Sequence, residues 1–125
     1  MKFVPVHEIY HVWKDVRKGL WVIKDKCKEK WIPEDIYFSL MQQQSQLYLL
    51  EDGFVIIYPR KSWDGNELFI WCAYCPEGDA VEKYEPYLME MARNINARRL
   101  VFESPRNWRG HGYVPIASIY VKDVQ

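Results

Sequence analysis

The sequence predicts an α+β domain: a mixed, mostly antiparallel sheet flanked by helices, in the order β-α-α-β-β-β-α-β-(α)-β. Three observations carry that expectation. Residues 9–27 and 81–95 each repeat apolar side chains three or four positions apart, the period of an amphipathic helix. Between them lie β-rich runs separated by Glu51-Asp52-Gly53 and Ser62-Trp63-Asp64-Gly65-Asn66, short polar turns of the hairpin kind. After the second helix comes the apolar strand centre Leu100-Val101-Phe102.

Taken in order, Phe3 to Pro5 forms a short opening strand. Ile9, Trp13, Val16, Leu20, Ile23 and Cys27 then make one stripe of the first helix, with lysines, arginine and aspartates on its other face. Gly19 interrupts that helix at a cost of about 1 kcal/mol relative to Ala, which marks a kink or a close contact. A second helix starts at Pro33, suited to the first helical position, with Glu34 and Asp35 at the positive end of the helix dipole. Strands follow at Gln46–Leu50, Phe54–Tyr58 and Glu67–Tyr74. Val81, Tyr84, Leu88, Met91 and Ile95 give the clearest helical stripe, and Pro86 inside it makes the first turn irregular. Arg99 to Glu103 is a buried strand, Asn107 to Gly112 holds a short helical turn, and Ile116 to Val121 is a last strand.

At 125 residues the chain is one domain, burying roughly two thirds of its unfolded surface. Basic and acidic residues number 17 each, so no net charge draws it to nucleic acid or an anionic membrane. Three cysteines, an odd number, argue against a secreted disulfide framework. With no signal-length or membrane-spanning apolar run, the chain reads as cytoplasmic. Six Trp and nine Tyr are more rings than a small core needs, which points to a face for a protein partner.

This element order resembles the GNAT superfamily of N-acyltransferases across essentially the whole chain. Two pieces resemble a phage-encoded subset of that fold that includes small internal virion proteins: His11-Val12-Trp13 leading to Val16 and Gly19-Leu20, and Leu68-Phe69-Ile70-Trp71 ahead of the long helix. The resemblance implies an acyl-CoA cofactor, acetyl-CoA in the simplest case. Its diphosphate would sit on backbone N–H groups at the start of the long helix, in a motif of Arg or Gln, two residues, Gly, one residue, then Gly or Ala. The matching residues are Cys75-Pro76-Glu77-Gly78-Asp79-Ala80. By this resemblance Cys72, Ala73, Tyr74, Gly78, Ala80 and Val81 are the cofactor-binding candidates.

The departures matter. Cys75 stands where Arg or Gln belongs, and Pro76 has no N–H to offer. Glu77 and Asp79 would face phosphate charges, and two unit charges 4 Å apart repel by about 4 kcal/mol at an effective dielectric of 20. The same acids suit a helix start, where they are expected to cap the N–H groups a cofactor would need. The expectation is therefore a degenerate acyl-CoA site with no cofactor, on a scaffold acting through protein interaction as a virion or host-takeover component. The alternative is an acetyl-CoA-dependent N-acyltransferase.

That alternative needs a general base for the amine, and often a tyrosine to protonate the leaving thiolate. Glu67 and Glu103, at strand ends, are the base candidates, against the plainer reading of solvated carboxylates. Gly112-Tyr113 resembles the family's Gly-aromatic pair, but Trp108 stands where the tyrosine is expected; His111 is the possible substitute. Arg106, Arg109, Trp108 and Tyr113 form a basic, aromatic cluster that suits a protein interface better than nucleic acid in a chain of zero net charge.

Two metal motifs are set aside. His7-Glu8-Ile9-Tyr10-His11 fits H-E-x-x-H, but no third ligand follows on a second helix and Ile9 belongs to the apolar stripe. Cys72-Ala73-Tyr74-Cys75 is a lone C-x-x-C whose thiols alternate to opposite faces, which suits buried cysteines.

Overall fold

A computed structural model describes residues 1–63, 65–104, 108–116, 120 and 122–124. The chain runs β1 (Lys2–Val4), a 3-10 turn (Val6–Glu8), α1 (Ile9–Cys27), α2 (Pro33–Met41), β2 (Gln46–Leu49), β3 (Phe54–Ser62), β4 (Gly65–Tyr74), α3 (Ala80–Asn94), β5 (Ala97–Val101) and a second 3-10 turn (Arg109–His111). The five strands form one sheet in sequence order. The first four pair antiparallel and β5 joins β4 in parallel. The expected last strand at Ile116–Val121 falls mainly on residues outside those described.

Both faces of the sheet are covered. Ile9, Val16 and Leu20 of α1, with Ile36 and Leu40 of α2, pack on Leu47, Phe54, Ile56 and Cys72. On the other face Leu88 and Ala92 of α3 pack on Val55, Ile57, Leu68, Ile70 and Leu100. The unbroken apolar run Phe54-Val55-Ile56-Ile57 follows directly, because a strand buried on both sides loses the polar half of its alternation. In α3, Ala92 takes the buried position, whereas Ile95 lies past the helix end and is exposed. The helix continues through Pro86, whose ring forgoes one helical hydrogen bond on the exposed face.

Gly19 is a close contact. A Cβ there would stand 2.5 Å from Phe54 Cε1 and 3.0 Å from Tyr74 Cδ2, so α1 lies directly on the rings of β3 and β4. At α2, the Asp35 carboxylate accepts the Ile32 N–H at 3.0 Å, while the Asp35 N–H donates to the Ile32 carbonyl at 2.9 Å. Arg17 and Glu34, 3.0 Å apart, tie α1 to α2.

Two features of β4 decide which side chains face α3 and where its pairing with β5 ends. Ile56 faces Cys72 and Ile57 faces Ile70, so Trp71 is an extra residue, a β-bulge. A single added residue inverts the alternation beyond it. Leu68 and Ile70 therefore face α3, whereas Cys72 faces α1 and α2. The β4–β5 ladder, in turn, runs only from Asn66/Ala97 to Phe69/Val101. There β5 itself ends, and Ile70–Tyr74 are bonded within the sheet to β3 alone among the described residues.

Candidate functional site

Past the end of its ladder with β5, β4 runs on into the turn at residues 75–79 and the start of α3. Gly78 takes a left-handed conformation, φ +78°, which glycine adopts without strain. Its N–H donates to the Cys75 carbonyl at 3.0 Å. The Cys75 thiol is folded into the same turn, 2% exposed, and donates to Asp79 Oδ1 at 3.0 Å. Burial pushes this thiol up, the Asp79 carboxylate adds to the rise, and the Asp79 and Gly78 amides directed at the sulfur partly oppose it.

This geometry corrects one expectation. Asp79 does not cap α3: its side chain makes no cap hydrogen bond to that helix start, and the carboxylate is turned back onto Cys75. It also adds a cation that local sequence does not show. Lys26, from the last turn of α1, brings its Nζ to 3.7 Å from where a Gly78 Cβ would stand. Lys83, one turn into α3, pairs with Asp52 of the β2–β3 turn at 3.0 Å, and Tyr84 Oη donates to the same carboxylate at 3.1 Å.

The diphosphate of coenzyme A is a demanding guest for this turn. Pro76 supplies no N–H, the Gly78 amide is bonded to Cys75, and the Asp79 amide faces the Cys75 sulfur. Glu77 is exposed beside them. The residues of the turn do not fit the group, although Ala80 and Cys72 are buried beside it and Ala73, Tyr74 and Val81 are half-buried.

Glu67 is no solvated carboxylate. It is 3% exposed, accepting from Arg60 Nε at 2.9 Å and Arg99 Nε at 2.7 Å. The Arg60 hydrogen bond, with Arg99 beyond it, holds the carboxyl below the usual carboxylate range. Such a group is a stable anion with little appetite for a proton. Glu103 is exposed just past β5. It acts electrostatically on Glu29, which follows α1; burial first and Glu103 second push the Glu29 carboxyl up. Glu29 also raises Cys72, whose main cause is burial. Through Glu29 the α1–α2 connection thus acts electrostatically on β4 and is acted on by the chain after β5, which no local motif announced.

His111 is exposed in the second 3-10 turn. Trp108 is half-buried, edge-on to Phe102 and Tyr113 at 4.9 and 5.8 Å, and its Nε1 donates to Ser104 Oγ at 2.9 Å. Tyr113 carries a buried hydroxyl with no hydrogen-bond acceptor in range among the described residues. Burial and, behind it, Glu85 push this hydroxyl up to about 12. Arg109 is exposed, and Arg106 lies outside the described residues.

His7 and His11 line a shallow cavity of about 290 Å³ with Lys2, Glu8 and Leu49, on the β1 side. Cys72 and Cys75 are buried free thiols by the turn, and the two pairs are not brought together. Among the described residues no group of three or more His, Cys, Asp or Glu side chains is arranged to hold a metal. No helix among them is long and apolar enough to cross a membrane.

The architecture is that of the GNAT fold, and solved structures match it over nearly their whole length. A probable acetyltransferase covers 100% of this chain and 99% of its own, with a TM-score of 0.64 and 14% identity. A ribosomal-protein-alanine N-acetyltransferase from Brucella melitensis biovar Abortus 2308 gives 0.65 at 13% identity, covering 98% and 96%. A putative acetyl transferase from Pyrococcus furiosus gives 0.67 at 15% identity, covering 94% and 95%. At such identities the likeness is one of fold. No protein-family model matches the sequence, and no curated protein does.

Proposed function

We propose that this chain is a GNAT-fold accessory protein, of phage or prophage type, that performs no acyl transfer and acts through protein contacts in the host cytoplasm or the virion. The observation that carries this reading is that the base candidate Glu67 and the residue at the expected tyrosine position are both engaged elsewhere. Glu67 is locked between two guanidinium groups. Where the resemblance expects a tyrosine there is Trp108, its N–H engaged by Ser104. For a contact role the chain offers exposed rings at Tyr10, Phe38 and Trp63, with Arg109 beside the Trp108–Tyr113 cluster. The phage assignment rests on the sequence resemblance alone.

The test is thiol release from acetyl-CoA in the presence of primary amines: a polyamine, a lysine side chain and a peptide α-amine. No amine-dependent release above the buffer rate is expected; saturable release with any of them would contradict the proposal.

A second reading, an acetyl-CoA-dependent N-acyltransferase, is favoured by two features: Lys26 over Gly78, and the Glu29 carboxyl, raised by burial and then by the charge of Glu103. In that reading Glu29, with Glu103 beside it, is the base.

A further inference from the structure

We infer that Cys75 is the built-in occupant of the turn's amide pocket, and that residues 75–79, rather than the surrounding frame, close this chain to the coenzyme A diphosphate. The inference deepens the proposal above and rests on it. A glycine turn leading into a helix binds phosphate when successive N–H groups converge on one empty concavity. Here that concavity is filled from within. The buried Sγ of Cys75 donates to Asp79 Oδ1 at 3.0 Å, while the Gly78 N–H closes the turn on the Cys75 carbonyl at 3.0 Å. The Asp79 and Gly78 amides also face that sulfur. Pro76 removes a further donor, and Glu77 stands outside with a charge of the wrong sign.

Around the turn the frame is permissive. The β4–β5 ladder ends at Phe69/Val101, where β5 itself ends. The Asp79 side chain does not cap α3, whose N-terminal dipole favours an anion. Lys26 supplies a cation from α1. A chain closed only at the turn should therefore reopen when the turn alone is rewritten.

Calorimetric titration with acetyl-CoA of the full-length protein and of the variant Cys75→Gln/Pro76→Gly/Glu77→Gln/Asp79→Asn tests this. The natural chain is expected to show no saturable heat up to about 1 mM, and the folded variant to bind about 100-fold or more tighter, in the micromolar range. If the natural chain binds at micromolar concentration, both this inference and the proposed function fail. If neither protein binds while the variant is folded, the inference fails and the proposed function stands. An independent measurement covers a variant that does not fold. With Cys75→Ala the Asp79 amide should exchange with solvent about tenfold faster than in the natural chain; an unchanged rate would overturn the placement of the sulfur.

Discussion

Glu67 shows how a single side chain changes meaning once its neighbours are known. From sequence it is a carboxylate near a strand end; in the fold it lies under two arginines from the strands on either side. Arg60 additionally stacks on Phe69, 4.4 Å from the ring centroid. Replacing Glu67 by Gln should lower stability by about 2 kcal/mol, because charged hydrogen bonds are lost and two guanidinium groups are left without their anion. Its pH dependence has a defined sign. The carboxyl is held below its unfolded value, so the stabilisation is complete above about pH 4.5 and is lost as pH falls through the lower, folded value. Urea midpoints of natural and Glu67→Gln chains should therefore converge below pH 4; a gap unchanged down to pH 3 would contradict the ion-pair account. The thiols give a second residue-scale prediction. All three are raised by burial, with Cys27 half-buried and Cys72 and Cys75 buried. An aromatic disulfide reagent should label Cys27 first and reach the other two only on unfolding; early labelling of Cys75 would contradict its enclosure.

Among the elements, α1 and β4 do most to place the site, and each is only half legible in the sequence. The α1 stripe is plain in the spacing of Ile9, Val16 and Leu20. What lies on Gly19 is not, since the ring of Phe54 reaches it from a strand far along the chain. Gly19→Ala improves local helix propensity by about 1 kcal/mol, yet should destabilise the fold by about 1–3 kcal/mol by forcing a methyl group against Phe54 and Tyr74. A raised melting temperature for that variant would show that the helix can move away. The strand β4 is legible as a strand, from its apolar run and flanking turns. Its bulge is not. Alternation alone places Cys72 on the face of Ile70, but the extra residue Trp71 puts it on the opposite face. Bulges leave no compositional mark in so apolar a segment. Similarly, Lys26 reaches Gly78 and Glu29 feels the charge of Glu103 through the direction in which α1 ends, a tertiary fact that no local motif carries.

At the scale of the whole molecule, the frame and the site have different degrees of legibility. Two helical periods, three β-rich runs and two glycine turns are enough for the architecture, because burying a sheet on both faces leaves few arrangements of those pieces. The turn is legible in composition, with its cysteine, proline and two acids, but not in geometry. The acids are expected to cap the α3 amides; instead Asp79 turns back to accept from the Cys75 thiol. The partner cluster is likewise visible as residue types, whereas its rings are spent partly on one another. The central claim is that the start of α3 is sealed by its own turn against a polyanionic ligand. Titration of the natural chain with acetyl-CoA, followed by heat, tests it most directly. The account predicts no saturable signal up to about 1 mM; a one-to-one isotherm with a micromolar midpoint would contradict it.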